Sequence, residues 1–143
     1  AYTGMRAAGK EHEESNVFAS LFAGVGIGFQ ILDDVKNIST GNAGKKRGDD
    51  IVEGKKSLPV ILHIEKDPED AAALTAYFEQ ARREGIDSPA VEKAIALLNS
   101  SGSITEAEKQ GKKTIDLALE QLATRCGNAA KERFGRFFDL MQG

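Results

Sequence analysis

The chain has 143 residues, enough for one domain with a sizeable core, and its 41% hydrophobic and 29% charged residues are the mix of an ordinary globular protein. A net charge of −3 and a pI near 5.5 argue against a nucleic-acid binder, which carries a basic field. The single cysteine, Cys126, excludes an internal disulfide and suits a reducing, cytoplasmic setting, where a buried or half-buried place on a helix is expected of it.

In chain order, Thr3 to Lys10 reads as the end of a helix, with Met5, Ala7 and Ala8 apolar and Gly9 as its stop. A long helix is expected from about Glu14 to Ile38, because Val17, Phe18, Leu21, Phe22, Val25, Phe29 and Leu32 recur at helical spacing on more than one side. Its apolar run from Val17 to Leu32 contains Gln30, ends on two aspartates and falls short of the roughly 20 residues a spanning helix needs. A central core helix is therefore expected, and no transmembrane segment. Neither does the N-terminus show a basic region followed by an apolar run and cleavage site. Gly24 and Gly28, one turn apart, are read as close helix packing, or alternatively as room beside a ligand.

Ser39 to Gly48 is a loop by composition, and a further helix should start near Ser57 with Pro59 in its first turn. Asp67-Pro68 and Ser88-Pro89 are start signals for two amphipathic helices that end near Gly85 and Gly102. Ser103 to Cys126 carries Ile104, Ala107, Ile115, Leu119 and Leu122 on one face. A last helix follows Gly127-Asn128, with Phe134, Phe137, Phe138, Leu140 and Met141 as its packing face. His12 and His63 lack a partner at ligand spacing and are expected to be solvated surface residues. The fold class is all-α, built of helix hairpins, with no strand or repeat.

Chemistry concentrates between Phe29 and Pro59, FQILDDVKNISTGNAGKKRGDDIVEGKKSLP. On a helix, Gln30, Asp33, Asp34 and Asn37 lie three or four positions apart, so their oxygens share a face that suits a hard cation. Two carboxylates do not cage Mg²⁺, which keeps waters and takes further ligands from a substrate phosphate. The following segment supplies the complement: Gly41, Gly44 and Gly48 allow close approach, and Lys45, Lys46, Arg47, Lys55 and Lys56 can neutralise phosphate oxygens. Asp49, Asp50 and Glu53 cancel most of the long-range field of these cations. Gly44-Lys45 is not a P-loop, since Lys46 stands where a Ser or Thr is needed and a helix precedes it.

FQILDDVKN, GKKRGDD and GKKSLP, in that order, resemble the FQxxDDxxD, GKxxGxD and GKxTLP motifs of the trans-type polyprenyl diphosphate synthases, the family of geranylgeranyl and farnesyl diphosphate synthases. The resemblance implies an all-α helical bundle of the isoprenoid synthase type and Mg²⁺-dependent prenyl transfer, in which an allylic diphosphate ionises and isopentenyl diphosphate attacks the cation. It implies Asp33, Asp34 and Asn37 as metal ligands, Lys45 and Lys55 as the catalytic lysines on the diphosphate, and Thr3 and Gln30 as hydrogen-bonding substrate residues. Lys46, Arg47 and Lys56 are expected to be a solvated basic rim. A homodimer is also implied.

Three positions depart from the pattern. Asn37 stands for the usual third Asp, Ser57 for Thr, and Tyr2 for the lysine of a KTG motif, so that charge is missing at neutral pH. The residues match only the C-terminal half of a family member, which makes residues 1–143 the portion that carries the second aspartate-rich motif. Without its N-terminal half the chain is expected to be inactive and to expose the apolar faces of Phe18, Phe22 and Phe29. The alternative is a non-catalytic subunit or fragment of a heteromeric prenyl synthase acting as a binding partner. Terpene cyclases are disfavoured, because Lys36-Asn37-Ile38 does not fit their second metal motif.

Overall fold

The computed structural model describes residues 1–41 and 46–142, with side chains as far as residue 136. Among these residues the structure is all-α: α1 (Tyr2–Ala7), α2 (His12–Ser39), α3 (Asp49–Glu53), α4 (Leu58–Lys66), a 3₁₀ turn (Pro68–Asp70), α5 (Ala71–Glu84), α6 (Pro89–Ser100), α7 (Ser103–Cys126) and α8 (Asn128–Gln142). The start and stop signals have physical counterparts. At Ser88 the hydroxyl accepts the Ala90 N–H, Pro89 fills a position that needs no donor, and Gly102 at φ 69° turns the chain out of α6 into α7.

One element differs from expectation. The five-residue α3 is too short to leave a periodic trace; it is bounded by Gly48 at φ 91° and Gly54 at φ 73°, a backbone region open mainly to glycine. Helix α2, expected from about Glu14 to Ile38, runs from His12 to Ser39, the polar HEES and DDVKNIS continuing it on both sides of the apolar run. Of the described helices it alone is long and apolar enough to cross a membrane, two criteria that the core helix of a soluble protein meets equally.

The chain divides into two compact units, residues 1–29 with 112–143, and residues 30–111. The second unit has a continuous core in which Val35 and Ile38 of α2, Ile51 of α3, Leu74 and Ala81 of α5, and Val91, Ile95 and Leu98 of α6 are all buried. Helix α5 packs on α3 and α6. Burying each larger aliphatic side chain stabilises this unit by about 1.5–3 kcal/mol. At Gly111, a Cβ would come within 3.1 Å of the Ile31 and Leu32 side chains, so glycine lets α7 approach α2 closely here. His63 is not on the surface: it is fully buried, with Nδ1 2.8 Å from Ser101 Oγ and Nε2 3.4 Å from Asp70. Its place on the apolar face of α4, beside Pro59 and Val60, carries it inside.

The first unit is held more lightly. Val25 and Ala118 are buried together, with Phe22, Phe29, Leu119 and Phe134 half-buried around them. The Phe22 and Phe134 rings meet edge to face at 5.1 Å. The expectation that Phe18, Phe22 and Phe29 stand exposed is corrected for Phe18, which is only 8% accessible, while Phe22 and Phe29 are half-buried. Helices α7 and α8 supply covering side chains within the unit. A Cβ at Gly24 would lie 3.9 Å from Ala118 Cβ, an ordinary contact, so packing does not demand glycine there. Cys126 is exposed rather than buried, since the apolar face of α7 is carried by Ile115, Ala118 and Leu122. His12 is exposed and hydrogen-bonds Tyr2 Oη at 2.7 Å. The side chains of Phe137, Phe138, Leu140 and Met141 lie outside the described residues.

Candidate active site

The last turns of α2 place Gln30, Asp33, Asp34 and Asn37 in the second unit, where the helix divides them by burial. Asp34 and Asn37 are buried, whereas Asp33 is exposed. The two adjacent carboxylates thus face different surroundings, as the 100° step of a helix requires. Asp34 Oδ1 accepts from Gln30 Nε2 at 2.8 Å, one turn earlier, and from Lys55 Nζ at 2.5 Å. Lys55 Nζ also lies 3.5 Å from Asp50 Oδ2. One ammonium group is therefore shared by two buried carboxylates, the arrangement that offsets the cost of burying either.

Asp50 is a participant that the sequence reading used only as a balancing charge. Its signal was present in GKKRGDD, where the second aspartate follows the conformationally special glycine by two positions. Burial pushes the Asp50 carboxyl above the ordinary aspartate range, Lys55 pulls it back, and Asp34 pushes it up again, leaving it raised. Burial also works against the Lys55 charge. The hydrogen bond and charge of Asp34, joined by Asp50, outweigh it, and Lys55 is held above the ordinary lysine value. Asp50 Oδ2 is a buried oxygen with no hydrogen-bond partner. A buried acceptor in that state can take a further donor or cation.

Asn37 is 1% exposed, and its Oδ1 accepts the backbone N–H of Asp50 at 3.1 Å. That oxygen faces into the protein, toward the start of α3. Lys46 pairs with Asp87 at 3.0 Å on the surface, as a rim residue would. Arg47 does more than form a rim: its Nε donates to Ile38 O at 3.1 Å, capping the end of α2, and its Nη1 lies 3.3 Å from Glu92 on α6. Lys56 is exposed. Thr3 is exposed on α1, in the first unit. Lys45 lies outside the described residues.

The donor set suits Mg²⁺ chemically, since carboxylate oxygens at Asp33 and Asp34 leave room for waters and phosphate oxygens in an octahedral shell. Among the described residues no group of three His, Cys, Asp or Glu side chains is clustered to hold a metal by itself.

The family model described as polyprenyl synthetase matches residues 1–98. The chain is similar to geranylgeranyl pyrophosphate synthase 2 of Zymoseptoria tritici, with 33% identity over 99 residues, 67% of this chain and 28% of that protein. It is similar to geranylgeranyl pyrophosphate synthase of Neocamarosporium betae, at 37% over 82 residues, 56% of this chain and 23% of that protein. Solanesyl-diphosphate synthase 2, chloroplastic, of Oryza sativa subsp. japonica is 30% identical over 100 residues, 68% of this chain and 23% of that protein. The chain thus spans about a quarter of the length of the curated relatives it matches. No solved structure matches it significantly. The match runs from α1 into α6 and includes the whole Asp34–Lys55–Asp50 cluster: the chain belongs to the polyprenyl synthetase family.

Proposed function

We propose that this chain is the diphosphate-receiving portion of a Mg²⁺-dependent polyprenyl diphosphate synthase that condenses an allylic diphosphate with isopentenyl diphosphate. The observation that carries the reading is the Lys55 ammonium held between Asp34 and Asp50. Breaking the allylic C–O bond places charge on the leaving oxygens, and a cation fixed in advance lowers the barrier by meeting that charge as it develops. Lys55, with Lys45, would contact the diphosphate, while Thr3 and Gln30 would donate hydrogen bonds to substrate. Asp33 and Asp34 would hold Mg²⁺, which when bound supplies Lewis-acid stabilisation of the leaving group. Gln30, by donating to Asp34, orients the carboxylate that both cations need.

The upstream half of a family member would supply the facing metal ligands and the second substrate's site, so prenyl transfer would require it. Proximity of the two substrates cannot be arranged by half of the clamp. A homodimer and a cytoplasmic setting belong to the same proposal, supported respectively by the family resemblance and by the single cysteine. A second reading, a non-catalytic subunit or fragment of a heteromeric synthase, is favoured by Tyr2, which carries no charge at neutral pH where the family's KTG motif has lysine.

Calorimetric titration of the chain with inorganic pyrophosphate, with and without Mg²⁺, tests the assignment. Asp34→Ala should abolish the Mg²⁺ dependence, Lys55→Ala should weaken binding about tenfold, and Lys46→Ala should leave it unchanged. Equal losses at Lys46 and Lys55 would reduce the site to a diffuse basic patch. Incorporation of labelled isopentenyl diphosphate separates the two readings. Activity that returns only when the upstream half is added, and is then lost in Asp34→Ala, supports catalysis; unchanged activity in that variant supports the subunit.

A further inference from the structure

Asn37 occupies the place of a metal ligand in the sequence motif, yet both of its oxygens turn toward residues 48–50 at the start of α3. Its backbone carbonyl accepts the Gly48 N–H at 3.0 Å, and its side-chain Oδ1 accepts the Asp50 N–H at 3.1 Å. Next to it, Ile38 O accepts from Arg47 Nε at 3.1 Å. The last turn of α2 thus grips residues 47–50 with three hydrogen bonds. The amide orientation is not arbitrary, because a rotated side chain would set its NH₂ group against the Asp50 N–H, donor against donor.

From Asp50 the connection continues to the site. The Asp50 carbonyl accepts the Lys55 N–H at 2.9 Å, and the Asp50 carboxylate lies 3.5 Å from Lys55 Nζ, which in turn bonds Asp34. Asp34 stands one helical turn before Asn37, so the path returns to its origin. We propose that Asn37 is a positioning residue: its side-chain oxygen latches the Asp50 amide and thereby sets Asp50 and Lys55 against Asp34. It does not serve as a ligand to the metal. The buried Asn37 Nδ2, which has no hydrogen-bond partner, agrees with this assignment. The side chain keeps an orphaned donor inside the protein in exchange for the latch, where an aspartate would instead add a third carboxylate beside Asp34 and Asp50 with Lys55 between them.

The inference rests on the proposed diphosphate reading for its functional consequence, but its structural half is tested separately. Amide hydrogen exchange of the whole chain is compared in the wild type, Asn37→Ala and Asn37→Asp, alongside titration with inorganic pyrophosphate and Mg²⁺. Asn37→Ala should speed exchange at Asp50 roughly tenfold or more, with α6 amides unchanged, and should weaken pyrophosphate binding about fivefold. Asn37→Asp keeps an acceptor in place and should restore slow exchange at Asp50. Slow exchange retained in Asn37→Ala overturns the latch, as does an equal rise throughout α6 or failure of Asn37→Asp to restore protection. Weakened Mg²⁺ binding with Asp50 still protected would return Asn37 to the ligand shell. Should the wild type bind no pyrophosphate, the diphosphate reading fails, and the exchange pattern still decides the latch.

Discussion

The two units bury their apolar surface in different ways. In residues 30–111, Ile38, Ile51, Leu74, Ile95 and Leu98 are removed almost entirely from solvent, whereas in the other unit Val25 and Ala118 are ringed by half-buried Phe22, Phe29, Leu119 and Phe134. The proposed chemistry lies on the first of these. Asp34, Asp50 and Lys55 need a rigid frame, because a buried carboxylate that loses its partner carries the full cost of desolvation. The adjoining core of Ile38 and Ile51 supplies that frame. By contrast, α1 has no buried residue, and Ile27 of α2 and Leu117 of α7 remain 59% and 49% exposed.

The difference is broken most severely by Ile95→Ala, which should cost about 2–5 kcal/mol in denaturant unfolding, since a closed core cannot collapse onto the missing atoms. Val25→Ala, in the lighter unit, should cost less than Ile95→Ala in the same measurement, and an equal cost would remove the distinction. Next comes Gly48→Ala. Its φ of 91° disfavours a side chain, and its Cβ would collide with Val91 Cγ1 on α6. A loss of about 1–3 kcal/mol is expected, read by the same unfolding experiment, with exchange faster in α3 than in α7.

Much of the helical order could be read from the residues before any coordinates, though not the division into two units. The apolar periodicity of α2, α5, α6 and α7 and the Ser-Pro and Gly punctuation define the helices, and FQILDDVKN with GKKRGDD and GKKSLP carries the family resemblance. What escaped the reading has physical causes. A helix as short as α3 has no period. The burial of His63 depends on Ser101, 38 positions away, and the pairing of Asp34 with Lys55 spans 21 positions, separations that no local pattern encodes. Asn37 illustrates the limit best: spacing puts it among the ligands, but the direction of its oxygen is set by the Asp50 amide.

Acid and alkali sharpen the comparison further. The Asp50 pKa is raised in the fold, so its contribution to stability is fully present below the unfolded aspartate value of about 3.9 and is lost as pH rises through the folded value. Lys55 is likewise raised, so its contribution is present below the unfolded lysine value of about 10.4 and is lost as pH climbs through the folded value. Thermal melts should accordingly show Asp50→Asn removing a loss of stability as pH rises out of the acid range, and Lys55→Met removing the loss as pH rises through the alkaline range. A loss that persists in its variant would assign that titration elsewhere. The smallest effect is expected at Lys46→Ala, within about 0.5 kcal/mol of the wild type in denaturant unfolding, because its pairing with Asp87 is solvent-exposed.

The shared ammonium of Lys55 has a last consequence, for the order in which the protein is made and loaded. Many sites rich in buried acid assemble only around an ion, so that removing the ion unfolds the polypeptide. Here the compensating charge is encoded in the chain, 21 residues after Asp34 and five after Asp50, and arrives with α3 and the turn that follows it. The helices can therefore be completed in a chelating medium, and the Mg²⁺ proposed for this site would join a finished fold.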